Sequence, residues 1–440
     1  MKKPGRSRPV RRDPADELNR AILACESGRL AEAEKACRKA LAAHPEWPQA
    51  RHVMGVINFR QGATDLAIAN LRQAIRHDPD YGPAYNDLGN VLQETGKLEE
   101  SISVFSRLNE LVPDQPTTLN NLGVTYRDHR QYELAVAVLR KATSLHENYL
   151  SAWLNLGYAL LCQRDFPEAV KAFERAALIE PGKSEPLRVL AHVYRQIGEN
   201  EKSLGAYRRW QEVEPACEIP SFMIAALAAT GNPLRATDAF IREEFDRFAD
   251  SFDKKLELLK YQAPQLVVQQ LAKLLGSPTS SLDVLDAGCG TGKGGVLIRS
   301  YARKLTGVDI SSGMLAHARR RGVYDELFEK ELVEYLKETS GSWDLITVID
   351  TLIYFGELAE PLSASANALK SGGYLIFTVE AASDESTRYR LAPTGRFVHG
   401  RAYLEESAGR AGFGEYQISE VELREEGGQP VQGYLFWARK

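Results

Sequence analysis

The chain has little of what a disulfide scaffold, a membrane protein or a polyanion binder needs. Its five cysteines, Cys25, Cys37, Cys162, Cys217 and Cys289, form no CxxC pair and stand at no histidine-paired ligand spacing. That excludes a disulfide framework and a structural zinc site, and it points to a reducing compartment. Nowhere do about 18 apolar residues run uninterrupted, so no membrane insertion is expected. The opening MKKPGRSRPVRRDP is basic but has no apolar core. Residues 1–13 therefore read as a disordered basic tail of a cytoplasmic protein, not as a secretory leader. A formal net charge of −4 on 440 residues gives no general affinity for nucleic acid. With 44% hydrophobic and 26% charged residues the composition is that of ordinary globular domains, two to four by length.

What is present is, first, a period. Pro45, Pro79, Pro113, Pro181 and Pro215 lie on a 34-residue grid, with Glu147 in the one gap. Gly55, Gly89, Gly123, Gly157 and Ala191 keep step, as do Ala33, Ala67, Ser101, Ala135, Ala169 and Ser203. Gly28, Gly62, Gly96 and Gly198 mark a turn in four of the units. Small residues let two antiparallel helices approach, glycine ends the first, and proline stops the second. These residues resemble tetratricopeptide repeats, six of them over 14–217. A solenoid of stacked helix pairs offers a concave groove and no strained site for chemistry, so a protein or peptide is the expected partner. YNDLGN, LNNLGV and WLNLGY put Asp87, Asn121 and Asn155 at one repeat position. The segments resemble the repeats of O-linked N-acetylglucosamine transferases, which implies a ladder gripping an extended polypeptide. Bonds between neighbouring repeats are the competing use of the same side chains.

Past Pro215 the grid slips, and SFMIAALAATG supplies a capping helix. Residues 218–281 then read as cap, linker and lid helices, in which Phe245, Phe248 and Phe252 share one face. That stripe is either core packing or a lid over a ligand.

From 282 the pattern alternates short apolar strands with amphipathic helices, as a parallel sheet covered on both faces requires. LDVLD, KLTGVD, a weak LFEKE, SWDLITVID and GGYLIFTVE are the five parallel strands, and EYQISEVEL with GYLFWARK forms an antiparallel edge hairpin. The first strand runs into LDVLDAGCGTGKGG. A phosphate loop GxxxxGK followed by Ser or Thr fails at Ala287 and Gly294, and GxGxxG from Gly288 fails at Lys293. An acid followed by Gly288, Gly290 and Gly292 repels a pyrophosphate but suits a ligand carrying ammonium and sulfonium charges. Asp309, ending the second strand, can accept from both hydroxyls of a ribose.

DAGCGTG with Asp309 is similar to the seven-strand family of S-adenosylmethionine-dependent methyltransferases, over 240–440. Sequences such as FDRFADSFDKKLELLKYQAP and IDTLIYFGEL resemble bacterial methyltransferases bearing tetratricopeptide repeats. The fold so implied is an α-helical repeat solenoid followed by a Rossmann-like, seven-stranded α/β domain over 282–440. The resemblance implies S-adenosylmethionine as cofactor and no metal. Asp286, Gly288, Gly290 and Gly292 fall to its methionine part and Asp309 to the ribose. Ile310, Met314, Glu331 and Leu332 complete the cofactor contacts, with Glu331 where the family more often has Asp. Asp350 and Thr351 lie near the methyl. Acceptor contacts are expected in RYRLAPTGRFVHGRAY, where Arg388, Tyr389, Arg390, Arg396, His399, Arg401 and Tyr403 cluster, and at Tyr354. Tyr354 and His399 are the catalytic candidates. Two other readings stand beside a methyltransferase that recruits a protein or peptide: an interaction scaffold with a non-catalytic domain, and a small-molecule enzyme tethered by its repeats.

Overall fold

The computed structural model describes residues 13–229, 231–384 and 386–440; the basic stretch before residue 13 lies outside them. The described residues form two compact units, divided between Leu190 and Ala191.

The first unit is a run of helix pairs: α1 (Pro14–Glu26) with α2 (Leu30–Ala43), α3 (Pro48–Arg60) with α4 (Thr64–His77), and α5 (Gly82–Glu94) with α6 (Leu98–Leu111). Next come α7 (Pro116–Asp128) with α8 (Tyr132–Leu145), α9 (Leu150–Cys162) with α10 (Phe166–Ile179), and the start of α11 (Ser184–Gln196). The four pairs from α3–α4 to α9–α10 each close where one helical glycine meets one large side chain, whereas α1 has Ala21 at that position. A Cβ on Gly89 would stand 2.5 Å from the Phe105 ring, one on Gly123 2.4 Å from Leu139, and one on Gly157 2.6 Å from Phe173. The ring or isobutyl group occupies the volume a methyl would need, so the helices approach to backbone contact. Between the helices, Gly28, Gly62, Gly96 and Gly198 take φ of 73–80°. Arg130 and Arg164 hold the same left-handed turn at φ 62°, in the two repeats where no glycine marks it. The turn geometry is set by the helix pair, and at the four glycine turns no atom lies within 4 Å of a built Cβ, so a side chain there meets no clash.

The second unit begins with the rest of α11, then α12 (Asn200–Val213), α13 (Glu218–Ala228), α14 (Asp238–Leu258) and α15 (Ala263–Leu275). The α/β part follows: β1 (Leu282–Ala287), α16 (Lys293–Ile298), β2 (Ala302–Asp309), α17 (Ser312–Arg321), β3 (Glu326–Glu329), α18 (Leu332–Glu338) and β4 (Trp343–Val348). It ends with α19 (Ala359–Ala368), β5 (Leu369–Ala381), β6 (Tyr389–Leu391), β7 (Phe397–His399), α20 (Arg401–Arg410), β8 (Glu415–Glu426) and β9 (Gln429–Arg439). The order β3-β2-β1-β4-β5 is parallel, β9 pairs antiparallel with β5, and β8 closes the edge against β9. Those are the seven expected strands. The sheet has nine, because RYRLAPTGRFVH folds into the β6–β7 hairpin. β5 outruns β4, and its free end at Glu380–Ala381 is where β7 pairs.

Neighbouring strand residues feed opposite cores, as a pleat dictates. Leu285, Ile346 and Phe377 pack with α18, α19 and α20. Val284, Leu345 and Ile376 pack with Val267 and Leu271 of α15. The strand order reverses between β1 and β4, so their carboxyl ends open a crevice with that of β2. No helix among the described residues is long and apolar enough to cross a membrane.

Candidate functional site

At the mouth of β1 the chain folds back over β2: Gly288 N and Cys289 N both donate to Val308 O, at 2.8 and 3.0 Å. Gly288, Gly290 and Gly292 all have positive φ, of 75°, 54° and 85°. A Cβ on Gly288 would lie 2.1 Å from Thr351 Oγ1, whereas beside Gly290 no atom lies within 4 Å. One glycine is needed for contact, the other faces open space. Asp309 is gripped by the loop itself. Its Oδ2 accepts from Gly290 N at 2.8 Å and its Oδ1 from Ser311 N at 2.9 Å. Burial raises its pKa, and the two backbone donors pull it back.

Asp286, expected at the mouth, sits beneath it and is only 2% exposed. Tyr324 donates to its Oδ2 at 2.7 Å and Thr347 to its Oδ1 at 3.2 Å. Burial pushes its pKa up to about 6 against those two hydroxyls, so this is an acid short of a cation. Gly292 caps α16, with Tyr324 and Arg321 crowding its Cα. Ile310 is buried, and its carbonyl accepts from Arg242 Nε at 3.4 Å. Met314 and Leu332 are core residues at the starts of α17 and α18. Glu331 caps α18, accepting from Glu334 N at 2.9 Å, while its other oxygen takes Arg235 Nη1 at 2.7 Å.

Helix α14 lies over this loop, and its hold is polar. Asp246 accepts from Ser311 Oγ at 2.5 Å and from Gly313 N at 3.0 Å. Asp250 meets His317 Nε2 at 3.0 Å. Asp253 accepts from Thr291 Oγ1 at 2.7 Å and pairs with Arg321. Spacings of four and three residues put these acids on one helix face. Nothing in apolar periodicity marks them, and the sequence reading passed over them. Of the aromatic stripe, Phe245 meets Phe252 at 5.9 Å and Tyr354 at 5.4 Å, edge to face in each case, and Phe248 lies under Lys255 Nζ at 3.4 Å. All three rings are half-buried.

Beyond β4, Asp350 has a left-handed φ of 49°. Thr378 Oγ1 accepts from its backbone N at 2.9 Å and donates to its Oδ1 at 2.8 Å. Its Oδ2 accepts from Arg424 at 3.2 Å, and the Tyr261 hydroxyl also reaches this carboxylate. Arg424, 3% exposed, further pairs with Glu380, which is 5% exposed, and with Glu426 at 2.8 Å. Arg396 joins the same two glutamates at 2.7 and 2.5 Å. Two arginines thus face three carboxylates in a largely dry network. Tyr261, Glu380, Arg424 and Glu426 come from scattered places in the chain, and no sequence motif announces them.

Tyr354 lies in a 3₁₀ turn after β4, half-buried, with burial raising its hydroxyl to about 12. His399 was expected as a catalytic candidate among clustered arginines that contact the acceptor. The structure buries it completely in β7, with Nε2 donating to Phe355 O at 2.8 Å. Burial lowers its pKa to about 4, so its imidazole is neutral and braces the turn that carries Tyr354. The arginines of that stretch do not converge on it. Arg388 pairs with Glu406 at 2.7 Å over the Tyr403 ring, Arg401 with Glu405 at 3.2 Å, and Arg396 belongs to the network above. Arg390 is exposed on β6. Tyr403 donates to Glu357 at 2.7 Å and accepts from Leu358 N at 2.8 Å.

In the repeats the three aligned polar residues are joined to their neighbours. Asp87 meets His52 Nε2 at 2.7 Å, Asn121 donates to Asn86 at 3.3 Å, and Asn155 donates to Asn120 at 2.9 Å. All three are half-buried.

A parallel sheet of this order, with a glycine loop after β1 and an acid gripped at the end of β2, defines a Rossmann-like methyltransferase domain. Residues 285–377 match the family model described as a methyltransferase domain, and 18–69, 58–119 and 120–186 match models described as tetratricopeptide repeats. Human methyltransferase-like protein 27 is 32% identical over 192 residues, 41% of this chain and 77% of that protein. The malonyl-[acyl-carrier protein] O-methyltransferase of Yersinia pestis is 28% identical over 34% of this chain and 53% of its own length. The ubiquinone biosynthesis O-methyltransferase of Paracidovorax citrulli is 34% identical over 23% of this chain and 45% of its own. The chain spans about half the length of those two bacterial relatives. It belongs to the class I S-adenosylmethionine-dependent methyltransferase family, with a tetratricopeptide-repeat region, and such repeats generally mediate protein interactions.

Proposed function

We propose that this protein transfers a methyl group from S-adenosylmethionine to a protein or peptide held by its repeats, or to a group carried on one. The observation that supports the cofactor most is the Asp309 carboxylate, fixed by Gly290 N and Ser311 N beside the open side of the glycine loop. A carboxylate so held keeps lone pairs for ribose hydroxyls. Asp286, buried without a cation, is suited to a ligand that brings one. Gly288, Gly290 and Gly292 would take the methionine part, and Ile310, Met314, Glu331 and Leu332 the adenosine side. Asp350 and Tyr354 would stand on the methyl side.

The cofactor, when bound, supplies an electrophilic methyl on a sulfonium. The chain's part is to keep the crevice dry under α14 and to aim an acceptor at that methyl. Tyr354 is a neutral phenol at ordinary pH, fit to hold an acceptor by a hydrogen bond and unfit as a base. His399 we assign to bracing the Tyr354–Phe355 turn. The domain limits 14–217, 218–281 and 282–440 are part of the same proposal.

Calorimetry of the whole chain with S-adenosylhomocysteine tests the cofactor half. Asp309→Ala should weaken binding by about 1.5–3 kcal/mol, the worth of hydrogen bonds to a charged group. Unchanged affinity in a folded variant, or tighter binding of NAD, would sink the assignment. The recruiting half is tested by replacing Asn121 and Asn155 together with Ala. A captured acceptor should bind at least about tenfold more weakly while cofactor affinity holds, two or more hydrogen bonds being lost. A lower melting temperature with acceptor binding intact would make these amides struts between repeats.

A further inference from the structure

Residues 231–237, ahead of α14, form no helix or strand of their own, yet they are bonded to three separate parts of the domain. The Asn232 side chain stands in for a strand neighbour of β6, donating to Tyr389 O at 3.1 Å and accepting from Leu391 N at 3.2 Å. Leu234 O accepts from Gly356 N and from Glu357 N, each at 2.8 Å, and Ala236 N donates to Tyr354 O at 2.8 Å. Arg235 is thereby registered antiparallel to Phe355 in an isolated bridge. Its guanidinium reaches Glu331 at 2.7 Å and Asp238 at 2.5 Å, and its Cζ lies 5.6 Å from the centroid of the Phe355 ring.

One residue therefore touches both sides of the crevice. Glu331 starts α18 right behind the end of β3, and Lys330 N is bonded to Asp309 O at 3.0 Å, so its carboxylate belongs to the cofactor side. Phe355 follows Tyr354 on the opposite side. The planar fork of one guanidinium serves both carboxylates in fixed directions while its carbon stands by the ring, a geometry that a point-charge ammonium does not fix.

We infer that Arg235 is a positioning residue that couples Glu331 on the cofactor side to the Tyr354–Glu357 turn, so that filling the cofactor site orders the wall facing the acceptor. This rests on the cofactor reading given above. If Glu331 is held in place by the bound adenosine, its ion pair fixes Arg235, and the backbone register of Arg235 fixes the turn. By reciprocity, a turn released from Arg235 no longer responds to the ligand.

Hydrogen exchange of the full chain, with and without S-adenosylhomocysteine, reads this directly. In the unmodified protein the ligand should slow exchange across 354–358 by about fivefold or more, the lower end of ordinary coupling. In Arg235→Gln the ligand should still bind, and the slowing across 354–358 should vanish. Glu331→Gln keeps the helix cap while removing the charge; read at ligand concentrations that saturate the variant, it should abolish the slowing too, which covers a failure of the arginine variant to fold. A ligand-induced slowing that persists in either folded variant overturns the coupling while leaving the cofactor reading intact. No binding to the unmodified protein overturns both.

Discussion

The glycines of the repeats and those of the loop after β1 are kept for opposite reasons. Gly89, Gly123 and Gly157 have ordinary helical backbone, and what they supply is the absence of a side chain where Phe105, Leu139 and Phe173 must fit. Gly288, Gly290 and Gly292 supply a left-handed backbone, and Gly288 and Gly292 are also pressed by neighbours while Gly290 is not. The first kind recurs because the same contact is remade every 34 residues. The second kind occurs once, and its partners, Asp309 and Thr351, come from the ends of other strands. A solenoid is held by contacts local in sequence, the sheet domain by contacts that are not.

The sharpest test of that contrast is Arg424→Met. It takes the guanidinium from buried Asp350 and leaves Glu380 and Glu426 to Arg396 alone in a largely dry site, and about 3–5 kcal/mol of stability should go with it. Because the loss falls in the sheet domain, denaturation should split into two transitions, with the repeats' own midpoint unmoved; a single shifted transition would show the units to be one cooperative block.

Acid titration comes next. The unfolded chain protonates His399 near its ordinary 6.5 and the folded one only near 4, so stability is complete above the first value and drains as pH falls toward the second. The loss amounts to about 3 kcal/mol for one buried imidazole. His399→Gln, which can keep the bond to Phe355 O, should flatten the melting temperature between those pH values. Asp286 runs the other way: raised from 3.8 to about 6, it favours the fold below the first value and loses that contribution as pH climbs through the second. Asp286→Asn should therefore steepen the acid limb that His399→Gln flattens; curves that move together would refute both signs.

The smallest effects separate the two kinds of glycine inside the repeats. Gly157→Ala forces a methyl to within 2.6 Å of the Phe173 ring, and overpacking of this sort costs about 1–3 kcal/mol. Arg130→Gly relieves a left-handed non-glycine residue, a gain of about 1 kcal/mol or less after the entropy of glycine is counted. Melting curves of the two variants should shift in opposite directions.

How much of this was legible beforehand follows the same division. The repeats, their turns and their closing glycines could be read because every contact lies within one period or the next. The strands themselves and the glycine loop were legible because apolar runs and Asp309 sit at fixed distances; their order in the sheet was not read. What escaped was whatever joins distant segments through polar groups: the Asp246, Asp250 and Asp253 face of α14, the Arg424 network, and Asn232 on β6. Such residues look like solvated charge in the sequence. His399 misled for the converse reason, since a histidine among arginines gives no sign that its neighbours will turn away from it.

β9, set between β5 and the edge strand β8, follows both of them in the chain. Among the described residues, 429–439 are the strand that pairs with β8 and one of the partners of β5, so the far edge of the sheet cannot close until they have left the ribosome. Until then the apolar run from Tyr374 to Val379 presents an unpaired edge to any other strand nearby, whereas the repeats can stack as each helix pair emerges. A cell making this protein has a ready-folded helical array waiting on an open sheet, and the demand for chaperone protection falls on the stretch of translation between β5 and β9.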